Sequence, residues 1–303
     1  MTSPHDPQMG VYSHANGTTA DLLDRLAISE LCKGWPVFRD ASEWKNFRSI
    51  FCREAFVWTT WSKRQSIDNF IQVSKDGKAR GDFIMHRECG TVVELNPETR
   101  RAVGKMKATI TQRFTMMPGA GRGGVEVEPV VFDVDCDCRF HFFCLEESST
   151  HPNDKDDDNA SKRRPEWKVR YVKLIYDKDK MVPVDGKTAP TFSPEALARC
   201  PKGYRYLGAA QRMLGHDVDE LLPTIQGSEG EAAHRMWLDM YAKMGQWLDG
   251  AEDVDLSSPA CGNDPEDKGV SVNGKSYGEC KGVGCPTLVA QIREVALSGI
   301  FSR

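Results

Sequence analysis

Arg39–Trp58, which reads RDASEWKNFRSIFCREAFVW, combines two periodicities in one short stretch. Its first half carries apolar residues at helical spacing, and Ser42 is of a type that often caps a helix N-terminus. The spacing therefore predicts an amphipathic helix from Glu43, with an apolar face of Trp44, Phe47, Ile50 and Phe51. Ala55–Trp61 is rich in aromatic and β-branched residues, which predicts a strand. This stretch is thus where the chain changes from helix to sheet.

A further helix is predicted before this stretch, and more strands after it. Residues 1–19 are polar and are predicted to form a flexible arm, whereas Asp21–Phe38 has an apolar stripe at helical spacing. A short helix is predicted at Ser66–Val73. Strand patterning then covers four stretches: Cys89–Leu95, Ala102–Met116, Pro129–Leu145 and Trp167–Tyr176. Helices followed by a run of antiparallel strands predict an α+β fold.

The rest of the chain divides by composition. Residues 147–166 are almost wholly polar and are predicted to form a disordered hairpin loop within a domain spanning residues 20–178. Residues 179–303 are predicted to be a helical extension with a Gly-rich tail. Its predicted helices are Ser193–Cys200, Gly203–Leu214, Gly230–Gly250 and Pro286–Ala296. Cys261, Cys280 and Cys285 lie in the tail, and the sequence leaves open whether two of them pair.

Composition argues against several classes of function. The chain has 303 residues and a net charge of -4, so no nucleic-acid binding is predicted. No apolar run is long enough for a membrane span, and the polar N-terminus does not resemble a signal peptide, so a cytoplasmic location is expected. Strand alternation places Cys136 and Cys138 on one face and His141 on the other, so no metal site is predicted. Nucleotide-binding and hydrolase motifs are missing from the sequence, and no cofactor is predicted.

Three phrases together resemble the SnoaL-like branch of the nuclear-transport-factor-2-like (NTF2-like) superfamily. They are DRLAISELCKGW at 24–35, RDASEWKNFRSIFCREAFVW at 39–58, and IMHRECG at 84–90. The resemblance implies a cone-shaped α+β fold, in which N-terminal helices pack on a curved antiparallel sheet. The chain is most similar to the scytalone dehydratase-like pattern, whose pocket Asp falls on Asp40 and whose first His falls on His86.

Other positions of that pattern are changed. The family's second His falls on Gln112, which alternation places as the single polar residue on the apolar face of its strand. The family's strand Asn falls on Arg139, which alternation places on the polar face, away from the pocket. Its two Tyr fall near Arg39 and Thr59. These differences argue against the dehydration of scytalone itself.

The resemblance implies acid/base chemistry without a cofactor. In an apolar cone, Asp40 would orient His86, which would move a proton on a small hydrophobic substrate of polyketide-derived or aromatic type. Dehydratase, isomerase and cyclase activities all fit this pair. Gln112 would contact the substrate, and the predicted aromatic walls are Trp58, Phe140, Phe142, Tyr171 and Phe38.

Two other functions remain open. The cone could bind a small molecule without turnover, with Asp40 capping a helix and His86 purely structural. Alternatively, the domain could be a dimerisation module whose C-terminal extension recruits a partner. A homo-oligomer, either a dimer or a trimer, is expected in all cases. The extension is predicted either to cover the mouth of the cone or to form a dimer contact. Contact between Asp40 and His86 inside an apolar cavity would favour catalysis.

Overall fold

The computed structural model describes residues 12, 16–117, 128–147, 165–227 and 231–257. The predicted loop between the last strands lies almost entirely outside these residues, as do most of the arm, the final predicted helix and the three tail cysteines. All the described residues belong to one compact unit. No helix in the described ranges is long and apolar enough to cross a membrane.

The first helix, α1 (Thr19–Gly34), continues into a π-helical turn, Trp35–Arg39. Thr18 caps α1: its side chain accepts the N–H of Asp21, and the Asp21 carboxylate accepts the N–H of Thr18. Pro36 lies in the first turn of the π-helical segment, where its missing N–H is tolerated. The sequence pattern gave no sign of this wider turn, which ends directly before Asp40.

The second helix begins later than predicted. Residues Trp44–Ser49 form α2, and Glu43 is its N-cap residue without a side-chain capping bond. The predicted cap at Ser42 is wrong, because Ser42 has a left-handed backbone (φ 62) and its hydroxyl accepts a hydrogen bond from Lys78. The ammonium of Lys78 comes from α3 (Ile67–Ala79), whose predicted cap, Ser66, is confirmed. A contact from a distant helix therefore overrode a local capping preference.

The sheet has six strands in the order β2-β1-β6-β5-β4-β3. Their bounds are β1 (Phe51–Thr59), β2 (Lys63–Ser66), β3 (Phe83–Asn96), β4 (Arg101–Met116), β5 (Val130–Glu147) and β6 (Glu166–Pro183). The four long strands pair antiparallel, as predicted, but β1 pairs parallel with β6, so the curved sheet is mixed. Pairing with β4 extends β3 beyond its predicted start, so His86 lies within a strand rather than before one. Likewise β6 continues past residue 178 to Pro183.

Both faces of the sheet are covered. The face that we call the inner face packs against α1 and α3 through the even-numbered residues of β5, from Phe132 to Cys144, which are all buried. The opposite, outer face packs against α6 (Ala232–Leu248), where Trp247 and Met244 are buried together with Phe143. On the inner face α1 comes so close to β4 that a side chain at Gly104 would collide with Cys32.

The extension supplies three described helices, close to their predicted positions. Besides α6 they are α4 (Pro194–Ala198) and α5 (Arg205–Met213). The N-terminus of α5 is held to the sheet by Asp179, whose carboxylate accepts the backbone N–H groups of Tyr206 and Leu207. Leu207 and Gln211 of α5 are buried and line a cavity together with residues of the inner face. This helix therefore contributes to the cavity wall, and covering of the cone mouth by the extension stays a prediction.

Candidate functional site

Asp40 and His86 are in direct contact although they lie far apart in the sequence. His86 Nδ1 is 2.8 Å from Asp40 Oδ1, and the backbone N–H of His86 donates to Asp40 Oδ2 at 2.6 Å. The π-helical turn brings Asp40 to the sheet, and β3 brings His86 to it. Both carboxylate oxygens are thus engaged by one residue, which fixes the imidazole relative to Asp40.

Two neighbours of His86 define its protonation state. Trp35 Nε1 lies 3.4 Å from His86 Nε2, and because an indole N–H can only donate, Nε2 is the acceptor and Nδ1 carries the proton. Burial lowers the pKa of His86 below its ordinary value of 6.5, although Asp40 acts in the opposite direction. Asp40 favours the protonated ring, but burial outweighs its contribution to the pKa. His86 is therefore mostly neutral at neutral pH, with its lone pair on Nε2.

A cavity adjoins this pair. Its volume is about 30 Å³, it is partly open to solvent, and we call it the His86 cavity. Its aromatic walls are Trp35, Trp61, Phe70, Phe140 and Tyr176. Aliphatic side chains complete the lining: Ile84, Ile110, Leu174 and Leu207. The polar lining residues besides His86 are Arg39, Thr59, Thr60, Gln112 and Gln211. A mostly apolar lining with few polar groups is typical of small-molecule sites.

A second cavity adjoins the first. This Lys78 cavity has a volume of about 20 Å³, is also partly open to solvent, and shares Arg39, Trp61, Ile84 and Gln112 with the His86 cavity. Its remaining lining is more polar and comes mainly from α3 and the turn after it: Val73, Ser74, Gly77, Lys78, Arg80, Asp82 and His216. The charged groups of the second cavity therefore lie next to the cavity that His86 lines.

The residues predicted to contact the substrate lie in the cavity lining, behind it, or on the outer face of the sheet. His86, Gln112 and Phe140 line the His86 cavity. Behind this lining, Phe142 stacks on Phe140 with ring centroids 6.1 Å apart, and Phe38 packs against the inner core beside Gly34.

The prediction that Trp58 and Tyr171 line the cone is wrong. Both lie on the outer face, where the ring centroid of Tyr171 is 5.9 Å from that of Trp58 and 5.9 Å from that of Trp247. The strands that carry them are apolar on both sides, because α6 covers the outer face, so an aromatic residue there does not reveal which face it occupies. Arg139 also lies off the inner face, as predicted, and its Nε donates to Asp177.

Several lining residues were missed. Trp35 follows the end of α1 and Trp61 comes just after the end of β1, and no role in the site was predicted for either. Gln211 comes from α5, and its Nε2 donates to Gln112 Oε1 at 3.0 Å. This hydrogen bond joins α5 to β4. No local pattern links positions so far apart. Arg39 was noted only as a departure from the family pattern, yet it lines both cavities.

No three His, Cys, Asp or Glu side chains come together as metal ligands in the part of the chain that the structure describes. Cys136 and Cys138, examined above as ligands, are buried on the inner face. Burial raises the pKa of both thiols well above the ordinary range. They are packing residues of the core.

The chain is similar to several known proteins. Residues 20–139 match the SnoaL-like domain model. The chain is 38% identical over 238 residues to Pea pathogenicity protein 2 of Fusarium vanettenii, covering 78% of this chain and 91% of that protein. It is 37% identical over 245 residues to an uncharacterized protein of Emericella nidulans, covering 78% of this chain and 91% of that protein. Among solved structures it is similar to a candidate scytalone dehydratase from Novosphingobium aromaticivorans, with 13% identity, a TM-score of 0.37, and coverage of 59% of this chain and 97% of that one.

Proposed function

Because the chain belongs to the SnoaL-like family, we propose that it is a cofactor-independent acid/base enzyme acting on a small hydrophobic carbonyl compound. The reaction class is dehydration, isomerisation or cyclisation, and the substrate is of aromatic or polyketide-derived type. The observation that carries the proposal is the hydrogen bond between Asp40 and His86 Nδ1 at the wall of an apolar cavity.

The geometry supports a specific proton transfer. The lone pair of His86 Nε2 accepts the indole N–H of Trp35 in this structure, so substrate binding must displace that contact. Neutral His86 then takes a proton from the carbon next to the substrate carbonyl through Nε2; the C–H bonding electrons form the enolate, and Nε2 gains the proton. Asp40 keeps Nδ1–H oriented and stabilises the imidazolium that forms. The protonated ring then returns its proton to a leaving hydroxyl or to another carbon, which yields dehydration or isomerisation from the same pair.

The proposal is tested by proton exchange. We expect the protein to accelerate replacement of α-protons by deuterium in D₂O for a panel of small cyclic and aryl ketones and 1,3-diketones, followed by proton NMR. The enolate is the shared intermediate of the proposed reactions, so exchange does not require the natural product to be known. Compounds that bind, yet exchange no faster than in buffer, would favour the non-catalytic binding module instead.

The pH profile of this exchange follows from the environment of His86. Since burial lowers its pKa below 6.5, the base form predominates near neutrality. After subtraction of the buffer rate, we expect exchange to be nearly constant from about pH 7 to 8 and to fall only below about pH 6.5, as Nε2 becomes protonated. An exchange rate that already falls as the pH is lowered from about 8 to 7 would contradict the assignment of His86 as the base.

A further inference from the structure

We propose that Arg39 binds the carbonyl oxygen of the ligand and stabilises the negative charge that develops on it, so that the site also prefers phenolates, which carry an anionic oxygen, over neutral analogues. This inference rests on the proposed function, which it extends by naming the charge that the site recognises. It assigns a role to a residue that departs from the family pattern.

Arg39 is a buried cation with few contacts. Its side chain is only 4% exposed, and its Nε and Nη1 atoms are buried without a hydrogen-bond partner in the described residues. The nearest opposite charge is Asp40 Oδ1, 3.8 Å from Nη1, and the guanidinium lies 5.4 Å from the ring centroid of Phe70. Burial of a charged group without hydrogen bonds is costly unless a partner arrives.

The charges around Arg39 leave it unsatisfied. Asp40 already accepts two hydrogen bonds from His86, so its oxygens are oriented toward the imidazole. Lys78 is the other nearby cation; its ammonium donates to the backbone carbonyls of Arg39 and Asp40 and to Ser42. The Lys78 contacts anchor the backbone of the turn and do not neutralise the guanidinium. Burial lowers the pKa of Arg39 to about 10, so it keeps its charge at neutral pH.

Position makes this cation useful to a ligand. Arg39 lines the His86 cavity together with His86 and Gln112, and it also lines the adjoining Lys78 cavity. It precedes Asp40 directly in the chain, and its Nη1 lies 3.8 Å from the same Asp40 oxygen that contacts His86 Nδ1, so the guanidinium, carboxylate and imidazole form one cluster. One bound ligand would then place its carbonyl oxygen near Arg39 and its adjacent carbon near His86 Nε2.

The chemistry calls for such a donor. When His86 removes an α-proton, the carbonyl π electrons move onto oxygen, and the negative charge develops there. A guanidinium presents several N–H groups in one plane and binds oxygen anions with charge-assisted hydrogen bonds. In a site shielded from water, a donor placed in advance stabilises that charge more than bulk solvent does. Gln112 and Gln211 can add neutral hydrogen bonds but cannot supply the charge.

A phenol titration tests the assignment without turnover. The probes are 4-nitrophenol, whose anion absorbs visible light, and 4-nitrotoluene, a neutral analogue of similar size; binding is followed by quenching of tryptophan fluorescence. We expect wild type to lower the pKa of bound 4-nitrophenol below its value in water. In Arg39→Met we expect phenolate affinity to fall by about 10- to 100-fold while 4-nitrotoluene affinity changes by less than about threefold.

Two further variants separate charge recognition from folding. Arg39→Lys keeps the charge without the planar fork, and we expect an intermediate preference for phenolate. Arg113→Met removes an exposed guanidinium that pairs with Asp133 on the same sheet, and it should behave as wild type. Equal phenolate preference in wild type and in both Arg39 variants, each folded by circular dichroism, would overturn the assignment.

The outcomes for the two proposals are distinguishable. Arg39-dependent phenolate binding in a protein that exchanges no α-protons would retain the anion site and remove the catalytic function. Exchange that is unaffected by Arg39→Met would retain the catalytic pair and remove the role of Arg39. If both hold, we also expect Arg39→Met to raise the pKa of His86, since Arg39 lowers it by charge repulsion.

Discussion

Asp40→Asn lowers the rate of α-proton exchange by about 100- to 10,000-fold, the range typical for loss of a positioned acid or base. The backbone N–H of His86 still needs a hydrogen-bond acceptor. The amide oxygen of Asn therefore takes the place of Oδ2, and its NH₂ group faces Nδ1. Nδ1 then becomes the acceptor and the ring proton moves to Nε2. The imidazole is retained but is the wrong tautomer to act as the base.

The measurement is deuterium exchange by NMR, with the ring tautomer read from nitrogen-15 shifts of His86. His86→Ala should lose as much rate as Asp40→Asn. As a matched control, Asp68→Asn changes an exposed carboxylate that pairs with Arg48, and it should exchange at the wild-type rate. Wild-type exchange in Asp40→Asn would remove Asp40 from the mechanism.

Trp247→Ala should be the most destabilising single change outside the site, at about 3–5 kcal/mol in the free energy of unfolding. Trp247 is fully buried between α6 and the outer face, and its Nε1 donates to the carbonyls of Ala102 and Cys144 at 3.2 and 3.1 Å. The truncation leaves a cavity and deprives both carbonyls of this donor. Trp247→Phe should lose about 1–3 kcal/mol, since it fills most of the space but cannot donate.

Urea unfolding measures these differences. Trp237→Ala is the control, because Trp237 lies on the same helix but is only partly buried, and its Nε1 has no hydrogen-bond partner in the ranges described. We expect it to lose less than half as much stability as Trp247→Ala. If the two changes cost the same, α6 would not be anchored through Trp247.

The site residues on the inner face of the long strands could be predicted from sequence, because apolar residues recur at every second position along each of these strands. Gln112 stood out there as a polar residue among apolar ones, and the structure places it in the cavity. Asp40 and His86 came instead from the family resemblance. Their contact depends on strand pairing and on the π-helical turn, and neither is visible in local periodicity.

The failures share a physical cause. Trp58 and Tyr171 were predicted to be aromatic walls of the cone, whereas a helix encoded far downstream covers the outer face and buries them there. Ser42 was assigned as a cap because local propensity favours it, whereas Lys78 determines its role. Gln211 carried no signal because its partner Gln112 lies 99 positions away. In each case a long-range contact outweighed a local preference.

The position of α6 has a consequence for assembly. By packing Trp247 and Met244 onto the outer face, the chain occupies with its own helix a broad apolar surface that a second copy could otherwise use. A dimer or trimer built from this protein must therefore use other surfaces, such as the edge strand β3 or the exposed leucines of α1, Leu22, Leu23 and Leu26. Displacing α6 to free the outer face would cost the stability that Trp247 provides.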